Sequence, residues 1–396
     1  MSRCDVIVIG AGIIGASCAL RLAERGLAVT VIEREAAPAT GSTARSAAGV
    51  RHQFSDPVNV MISRDAIAEY RQMPEAGYQP IGYLFYIPHA QWDVQHEAVR
   101  MQRELGADVR LLTPEQAARI VPAELDGIAG ASHCADDGIV DPHGICMAWV
   151  AQARALGVRF MLGREVTGLS HDGASWQVLT RNSGIVSAPG SADRTADSDD
   201  GFKARLLVNA AGAWSGRVAA LAGLRVPVGP ARRMVFTTGP LDAALRLGYP
   251  YPLTVDMATG LWLRSERERL IFGLSNPEDT GFSEGIDWPW LDNTIEAALT
   301  RFPWFEQLSL DRRACWWGYY EDTPDHNAIL GAMPQAPGWI NACGFSGHGV
   351  QQAATVGRLI ASEALGEPGP IDIDPLRIER FAGGARPQSA SERLIV

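Results

Sequence analysis

The stretch CDVIVIGAGIIGASCALRLAERGLAVTVIE occupies residues 4–33 of the chain. A short apolar run at 4–9 precedes three glycines in the spacing GxGxxG, and a helical pattern then continues until Gly26. A second apolar run ends at the acidic residue Glu33. This order predicts a buried strand, a tight turn, a helix and a second parallel strand, which is the dinucleotide-binding form of an α/β unit.

Each glycine of this motif has its own steric task. We expect Gly10 to allow the tight turn, Gly12 to let a pyrophosphate approach the backbone, and Gly15 to let helix and strand pack closely. Free N–H groups and the helix dipole at the start of the helix favour an anion. Glu33 can accept hydrogen bonds from an adenosine ribose. The motif therefore predicts a dinucleotide site, without distinguishing NAD from FAD.

Two later segments favour FAD. LLVNAAGAWS (206–215) is an apolar strand that runs into a turn of small residues. NACGFSGHGVQQAATVGRLIASEAL (341–365) is a strand, a second glycine-rich turn and a long helix. A cofactor held by both ends of the chain is long and extended. A second helix N-terminus near Gly349 can face the flavin ring, where negative charge develops on reduction.

Length and composition predict a soluble globular protein. The 396 residues correspond to about two or three domains of roughly 150 residues each. A net charge of −10 argues against non-specific binding to nucleic acids or anionic membranes. No apolar run reaches the roughly 18–20 residues of a membrane span, and no secretory signal pattern precedes the first strand. We therefore expect a cytoplasmic protein without a nucleic-acid partner or an integral membrane segment.

The six cysteines are far apart, and none forms a CxxC pair. This spacing predicts reduced thiols and no bound metal. The polar segment 182–201, rich in Gly, Pro, Ser and Asp, predicts a surface loop between two strands.

Eight motifs in a fixed order resemble the D-amino acid oxidase-type flavoprotein superfamily, which includes sarcosine oxidase, glycine oxidase and D-arginine dehydrogenase. The matching motifs are GAGIIG…VIER (10–34), GSTARSAAG (41–49), LLTPEQAARIVP (111–122), DGIVDPHGI (137–145), GREVTGL (163–169), LLVNAAGAWS (206–215), TPDHNAILG (323–331) and GFSGHGVQ (344–351).

The resemblance implies an α/β fold of two domains. One is a discontinuous, Rossmann-like FAD-binding domain of the glutathione-reductase type, and the other is a substrate domain with an antiparallel sheet. The expected FAD-binding domain comprises 1–80, 140–230 and 320–396, and the substrate domain comprises 81–139 and 231–319.

The resemblance also implies which residues contact FAD. The loop at 41–49 matches the segment that runs beside the pyrophosphate and the flavin ring. The residues assigned to the cofactor are Gly10, Gly12, Ile13, Ile14, Gly15, Glu33, Arg34, Ser42, Thr43, Arg45, Ser46, Ala47, Ala48, Gly49, Val166, Ala211, Gly212, Trp214, Gly318, Gly344, Ser346, Gly347, His348, Gly349, Val350 and Gln351.

We expect FAD to be held without a covalent bond. Several relatives attach FAD through a histidine that matches Arg45, and arginine cannot form that link. Monomeric sarcosine oxidase uses a cysteine at the position of Gly318. Cys315 lies slightly earlier in the chain, so we assign it a structural role.

Three residues are the candidates for catalysis. Arg51 matches the arginine that binds the substrate carboxylate in monomeric sarcosine oxidase, and a surface or phosphate-bridging arginine is the alternative. Tyr320 matches an active-site tyrosine of the same relative. His348 can hydrogen-bond the flavin or the substrate, and a structural role in its turn is equally compatible with the sequence.

Further residues are expected on the substrate side. Trp262 and the aromatic run CWWGYY (315–320) can form a cage for an amine or a cation, with core packing as the alternative. Arg232 or its neighbour Arg233 loosely matches a carboxylate-binding arginine of D-arginine dehydrogenase. Gly49 stands where that enzyme has a histidine over its substrate, and this difference argues against D-arginine as the substrate.

The sequence thus predicts an FAD-dependent enzyme that oxidises an N-methyl, secondary or D-amino acid or another amine. The expected reaction is hydride transfer from the α-carbon to flavin N5, giving an imine that hydrolyses. Ile271 stands at the position of an oxygen-activating lysine of a relative. The absence of that lysine permits an electron acceptor other than oxygen, and oxygen stays open as well. A 2-hydroxy acid substrate is an alternative. The segment 45–55 also resembles FOXRED-type assembly proteins, so a binding flavoprotein with little turnover is another alternative.

Overall fold

The computed structural model describes residues 2–184, 201–242, 245 and 250–382. The surface loop expected at 182–201 falls mostly outside these residues. Within the described part of the chain, no helix is long and apolar enough to cross a membrane.

The described residues form two large sheets and one two-stranded ribbon. The strands, in chain order, are β1 (Ser2–Ile9), β2 (Val29–Ile32), β3 (Gly49–Val50), β4 (Tyr83–Pro88), β5 (Val109–Leu112), β6 (Ile128–Cys134), β7 (Gly138–Ile139), β8 (Arg159–Met161), β9 (Arg164–His171), β10 (Trp176–Asn182), β11 (Gly201–Asn209), β12 (Gly229–Thr237), β13 (Leu253–Asp256), β14 (Leu261–Glu266), β15 (Arg269–Gly273), β16 (Trp316–Asp322), β17 (Ile329–Ala332) and β18 (Trp339–Cys343).

Helices cover the first sheet and flank the second. The α-helices are α1 (Ile13–Glu24), α2 (Pro57–Tyr70), α3 (Trp92–Glu104), α4 (Pro114–Ala118), α5 (Pro142–Ala155), α6 (Ser215–Leu221), α7 (Trp290–Arg301) and α8 (Gly349–Leu365).

The first sheet has the order β17-β18-β11-β1-β2-β8, and its five strands from β18 to β8 are parallel. The interior run Val6–Ile9 of β1 is almost fully buried, as expected for a parallel strand covered on both faces. Strand β17 pairs antiparallel at one edge, and the β9–β10 hairpin pairs with β11.

Helices α1 and α8 cross in close contact on one face of this sheet. The Ser17 hydroxyl in α1 donates a hydrogen bond to the Ala353 carbonyl in α8 at 2.7 Å. A Cβ atom at Gly357 would lie 2.2 Å from the Ser17 Oγ, so the crossing requires glycine there. The two helices therefore form one packed unit.

The second sheet has the order β16-β12-β15-β14-β13-β4-β6-β5 and is antiparallel except for the pair β4–β13. An aromatic core that includes Phe236, Phe272, Phe302 and Phe305 fills the space between this sheet and α7. The predicted α/β fold class is therefore confirmed, with its antiparallel second sheet.

The strands of the first sheet all lie within the segments expected for the FAD-binding domain. Most strands of the second sheet lie within the segments expected for the substrate domain. Strand β12 begins slightly before residue 231, and β16 extends slightly beyond residue 319. The exact domain division stays a prediction.

Candidate functional site

A cavity of about 690 Å³ lies between the two large sheets and is lined by residues of both. The two glycine-rich turns, the loop 41–49 and the end of β16 contribute to its wall. Most of the predicted cofactor residues line it: Gly10, Gly12, Ile13, Ile14, Glu33, Arg34, Ser42, Thr43, Arg45, Ser46, Ala47, Ala48, Gly49, Val166, Ala211, Gly212, Trp214, Gly318, Gly347, Gly349, Val350 and Gln351.

The first glycine turn is packed against main chain. Gly10 has a φ of +105°, and a Cβ atom there would lie 2.4 Å from the Ala210 carbonyl oxygen. A Cβ atom at Gly15 would lie 2.0 Å from the Gly10 carbonyl oxygen, so Gly15 shapes the turn without lining the cavity. The Thr43 hydroxyl accepts a hydrogen bond from the Ile13 N–H at 3.0 Å, which ties the loop 41–49 to the turn.

The second glycine turn precedes α8 and is packed against side chains. Gly344 and Gly347 have φ values of +75° and +90°. A Cβ atom at Gly347 would lie 2.5 Å from the Tyr320 ring. Ser346 also adopts a positive φ, of +47°. Gly344, Ser346 and His348 thus support the turn from behind, whereas Gly347 and Gly349 line the cavity.

The helices that begin at these turns differ from α2 and α5. Asp56 caps α2 and Asp141 caps α5, each through a side-chain hydrogen bond to a backbone N–H. Helices α1 and α8 have no side-chain cap from their own N-cap residue and no acidic residue in their first turn. The Ile13 N–H of α1 is bonded to Thr43, and the N-termini at Gly12 and Gly349 otherwise face the cavity, where they favour an anion.

One end of the cavity is formed in part by Glu33, Arg34 and Trp214. The Glu33 carboxylate accepts hydrogen bonds from the N–H groups of Ala11 and Glu35, at 2.7 and 2.8 Å. Burial raises the pKa of Glu33, and these two N–H groups oppose that rise. The Arg34 guanidinium stacks on the Trp214 ring at 4.5 Å.

The loop 41–49 crosses from the first sheet to the second. The Ser42 hydroxyl donates a hydrogen bond to the Tyr319 carbonyl at 2.7 Å, and the Arg45 guanidinium stacks on the Trp317 ring at 4.5 Å. A Cβ atom at Gly318 would lie 3.0 Å from the Arg45 Cβ, so glycine lets the loop approach β16.

The opposite end of the cavity has a wall of aromatic and apolar residues. Tyr83, Leu253, Trp262 and Tyr320 form this part of the wall, and a Cβ atom at Gly49 would lie 2.7 Å from the Leu253 side chain. Three residues of the cavity wall carry a buried polar atom without a hydrogen-bond partner among the described residues. These atoms are Arg233 Nε, Ser275 Oγ and Gln351 Oε1.

Arg51 and His348 lie together behind the cavity wall. Arg51 is 2% exposed, stacks on the Phe54 ring at 4.2 Å and donates to the Gln53 carbonyl. It also contacts His348 Nε2 at 3.2 Å. Burial lowers the pKa of His348 well below its usual value, and the Arg51 charge acts in the same direction. His348 is therefore neutral, with Nε2 as the acceptor.

The expectation that Arg232 faces the substrate needs correction. Arg232 forms an ion pair with Asp279 at 2.7 Å and points away from the cavity. Its neighbour Arg233 lines the cavity and forms an ion pair with Asp322 at 3.1 Å. The reason is the alternation of side chains along β12, which sends neighbouring residues to opposite faces.

Of the aromatic run of β16, Trp317, Tyr319 and Tyr320 line the cavity, as does Trp262, whereas Trp316 does not, so the aromatic cage stays a prediction. The Tyr319 ring packs on Trp214 at 5.7 Å, whereas the Tyr320 ring lies under Gly347. Cys315 is not on the cavity wall, and its thiol donates to the Asp311 carbonyl at 3.3 Å.

A buried polar cluster near Arg51 corresponds to none of the sequence motifs. His52 Nδ1 and the Asp137 carboxylate are 2.6 Å apart, and the Cys134 thiol lies 3.9 Å from the same nitrogen. These three side chains are close enough to hold a metal ion. Asp137 also accepts hydrogen bonds from the His52 N–H and the Gln53 amide, so the cluster is internally hydrogen-bonded.

Other cavity residues were missed as well. Tyr83, Arg217, Leu253, Ser275 and Glu321 line the wall but belong to no motif. The alternation of GYLFYIP places Tyr83 and Phe85 on one face of β4. That pattern identifies a strand without saying which face meets a ligand.

The sequence profile of the DAO family, described as FAD dependent oxidoreductase, matches residues 5–363. The chain belongs to this family. FAD-dependent oxidoreductase domain-containing protein 1 of Bos taurus is 31% identical over 431 residues, covering 98% of this chain and 86% of that protein. Hydrogen cyanide synthase subunit HcnC of Pseudomonas aeruginosa is 26% identical, covering 95% of this chain and 96% of that protein.

Among solved structures of the DAO family, L-proline dehydrogenase from P. horikoshii superposes with a TM-score of 0.84. It is 26% identical and covers 96% of this chain and 98% of that chain. Human mitochondrial sarcosine dehydrogenase is 25% identical, covering 96% of this chain and 42% of that protein.

The cofactor of this DAO-family oxidoreductase is FAD, and the chemistry of the cavity wall fits it. The wall offers two uncapped helix N-termini for negative groups and an acidic residue beside a stacked arginine at one end. At the other end it offers a buried amide oxygen, Gln351 Oε1, without a partner among the described residues.

Proposed function

We propose that this chain oxidises an amine or amino acid at the carbon that bears the nitrogen. FAD, when bound, supplies a two-electron acceptor for the hydride of that carbon, so that the substrate becomes an imine, which water hydrolyses. The observation that carries the proposal is the aromatic part of the cavity wall, which includes polar atoms without a hydrogen-bond partner among the described residues.

The two helix N-termini would hold the cofactor. Gly12 at the start of α1 suits the pyrophosphate, because its uncapped N–H groups and the dipole favour negative charge. The start of α8, at Gly349, would face the flavin end. Glu33 and Arg34 would bind the adenosine, and the loop 41–49 would lie between the two ends.

The aromatic end would favour the neutral form of an amine. Tyr83, Trp262 and Tyr320 exclude water there, and desolvation lowers the pKa of an amine. A neutral amine can release a hydride from the adjacent carbon without a dedicated base. Gln351 Oε1, which is buried, could accept a hydrogen bond from the amine N–H.

A carboxylate of the substrate would bind Arg233 rather than Arg51. Arg233 lines the cavity and has an unpartnered Nε, whereas Arg51 lies behind the wall against His348. A charge-assisted hydrogen bond of this kind contributes about 1.5–3 kcal/mol. Arg233→Lys should therefore lower kcat/KM for an amino acid by about tenfold to a hundredfold.

Arg51→Lys is the matched comparison for Arg233→Lys. We expect it to change kcat/KM for the amino acid less than Arg233→Lys does. For an amine that lacks the carboxylate, both substitutions should change kcat/KM equally little. If Arg51→Lys alone raised KM for the amino acid, the carboxylate would bind at Arg51, as the sequence analysis expected.

The relatives support oxidation next to nitrogen. The names of L-proline dehydrogenase and sarcosine dehydrogenase describe enzymes that act on secondary amino acids. Dimethylglycine dehydrogenase of Rattus norvegicus, 25% identical to this chain, is named for a tertiary one. Secondary and N-methyl amino acids are therefore the first substrates to test.

The test is anaerobic reduction of the bound flavin by a panel of compounds. The panel contains sarcosine, dimethylglycine, L-proline, D-amino acids, simple amines and 2-hydroxy acids, and the readout is loss of visible flavin absorbance. The proposal expects an amine or amino acid to bleach the flavin. Bleaching by 2-hydroxy acids alone would refute it, as would no bleaching by any member when dithionite still reduces the flavin. Reoxidation by oxygen or by a quinone dye would then identify the acceptor.

A further inference from the structure

The end of β16 supports the second glycine turn through successive residues. The Tyr320 ring lies under Gly347, where a Cβ atom would be 2.5 Å away. The Thr323 N–H, just beyond the strand, donates to the Ser346 hydroxyl at 3.2 Å. The turn that opens α8 is thus shaped by a strand of the opposite sheet.

Glu321 lies between these residues and makes two contacts with the turn. Its carboxylate accepts a hydrogen bond from the Gly344 N–H at 2.8 Å. Its main-chain carbonyl accepts one from the Ser346 N–H at 3.2 Å. Glu321 also lines the cavity. One carboxyl group therefore holds the first N–H of the turn and forms part of the cofactor wall.

We propose that Glu321 is a positioning residue for FAD, which fixes the turn before α8 and makes FAD affinity depend on its own charge. The hydrogen bond to Gly344 keeps the turn in its left-handed conformation. The carboxylate is a negative group in the wall of a cavity that receives a negatively charged cofactor. Binding of FAD would therefore be coupled to the ionisation of Glu321.

The surroundings of Glu321 raise its pKa toward neutral pH. Burial raises its pKa to about 7, the N–H groups of Gly344 and Phe345 oppose the rise, and the Asp322 charge adds to it. Asp322 is itself paired with Arg233 on β12.

Three further titratable groups lie near this part of the turn. Cys343, at the end of β18, has a pKa raised by burial and by the Glu321 charge. His348, at the other end of the turn, is held neutral by burial. His326 lies near Asp322; burial raises the pKa of Asp322, and the charges of Arg233 and His326 oppose that rise. Neither Cys343 nor His348 places a positive charge next to Glu321 at neutral pH.

The direction of the coupling follows from desolvation and charge. FAD would cover the cavity wall and bring its own negative charge, and both effects raise the pKa of a nearby carboxyl. The complex with FAD then holds a proton on Glu321 over a wider range of pH than the apoprotein does. FAD affinity should fall as the pH rises through about 7, by about tenfold for each unit by which FAD raises the pKa.

The experiment titrates apoprotein with FAD from about pH 6 to about pH 9 and follows the quenching of flavin fluorescence. The FAD affinity of the wild type should fall about tenfold over this range, whereas the FAD affinity of Glu321→Gln should vary by less than about twofold. Glu306→Gln removes an exposed carboxylate and should keep the wild-type slope. Glu321→Ala, which removes the acceptor of the Gly344 N–H, should bind FAD about tenfold more weakly than Glu321→Gln at every pH.

Equal pH slopes for the wild type and Glu321→Gln would overturn the charge coupling. Equal affinities of Glu321→Gln and Glu321→Ala would overturn the positioning role. Thermal melts of the four apoproteins, together with the visible flavin spectrum of each complex, show whether a variant is folded. Neither readout requires turnover, so a failure of the proposed amine oxidation would leave this test unaffected.

Discussion

The two glycine turns perform the same task with different partners. Both open helices without side-chain caps, at Gly12 for α1 and at Gly349 for α8. In the first turn a Cβ atom at Gly10 would meet a main-chain carbonyl. In the second, a Cβ atom at Gly347 would meet the Tyr320 side chain. The first turn is thus determined by the backbone of its own sheet, and the second by side chains of the other sheet.

This difference determines how far each turn can be recognised from its own short sequence. A turn closed by main chain needs glycine whatever the surrounding sequence is, so its spacing is recognisable by itself. A turn shaped by Tyr320, Glu321 and Thr323 depends on those residues and can vary with them. Substitutions in β16 would therefore change the part of the wall that faces the flavin. The same strand also contributes residues to the substrate part of the cavity.

The strongest test of the comparison is Gly10→Ala. The side chain would face both a φ of +105° and the Ala210 carbonyl oxygen at 2.4 Å, so we expect about 3 kcal/mol or more of destabilisation and loss of FAD. FAD content and chemical unfolding of the purified protein measure this. Gly26→Ala is the control, because Gly26 also has a positive φ but no atom within 4 Å. If the two substitutions lowered the free energy of unfolding equally, the contact with Ala210 would not contribute to the requirement for glycine at position 10.

Gly347→Ala should be rescued in part by a second substitution, unlike Gly10→Ala. Its methyl group would contact the Tyr320 ring, so Tyr320→Ala should relieve the clash and leave only the strain of the positive φ. We expect a coupling of about 1–2 kcal/mol in a double-mutant cycle of unfolding free energies. Strict additivity of the two substitutions would show that the side chain does not shape the turn.

A third test uses the pH dependence of stability. Burial raises the pKa of Glu321 to about 7 from an ordinary value of 4.5, so the folded protein holds a proton that the unfolded chain releases. Stability from this group is present below about pH 4.5 and is lost as the pH rises to about 7. The Tm of apo Glu321→Gln, relative to wild type, should therefore be higher at about pH 8 than at about pH 5. A Tm difference that does not change with pH would contradict this expectation.

The smallest expected effect concerns the attachment of FAD. If the two turns hold the cofactor without a covalent bond, acid precipitation should leave the flavin in the supernatant. Cys315 is the nearest cysteine to the attachment position of sarcosine oxidase, and it lies off the cavity wall. Cys315→Ser should therefore leave FAD content unchanged. Yellow flavin that stays on the precipitated wild-type protein would refute this prediction.

The sequence predicted the features that depend on local pattern. The turn at Gly10, the strand Val6–Ile9 and the start of α8 follow from glycine spacing, apolar runs and helix signals. Most of the residues assigned to FAD by the ordered motifs line the cavity, and their contact with FAD stays a prediction. These features could be found because each is encoded within a short, continuous segment.

The substrate end could not be predicted to the same degree. Arg233 rather than Arg232 faces the cavity, and the difference is a single step in the register of β12. Arg51 has the expected sequence position, but His348 and Phe54 hold it behind the wall. Such outcomes depend on how segments distant in the chain pack together, and a linear pattern carries little of that information.

The contact between α1 and α8, through Ser17, Ala353 and Gly357, has a consequence for ligand binding. Because the helices are packed as one unit, their two N-termini stand at a fixed separation and, if both bind FAD as proposed, would act as a bivalent receptor. A molecule that reaches both has its second group presented at a high effective concentration, which can strengthen binding by about 10²–10⁴. Fragments such as ADP or riboflavin would engage only one N-terminus each, so an intact FAD would displace them readily.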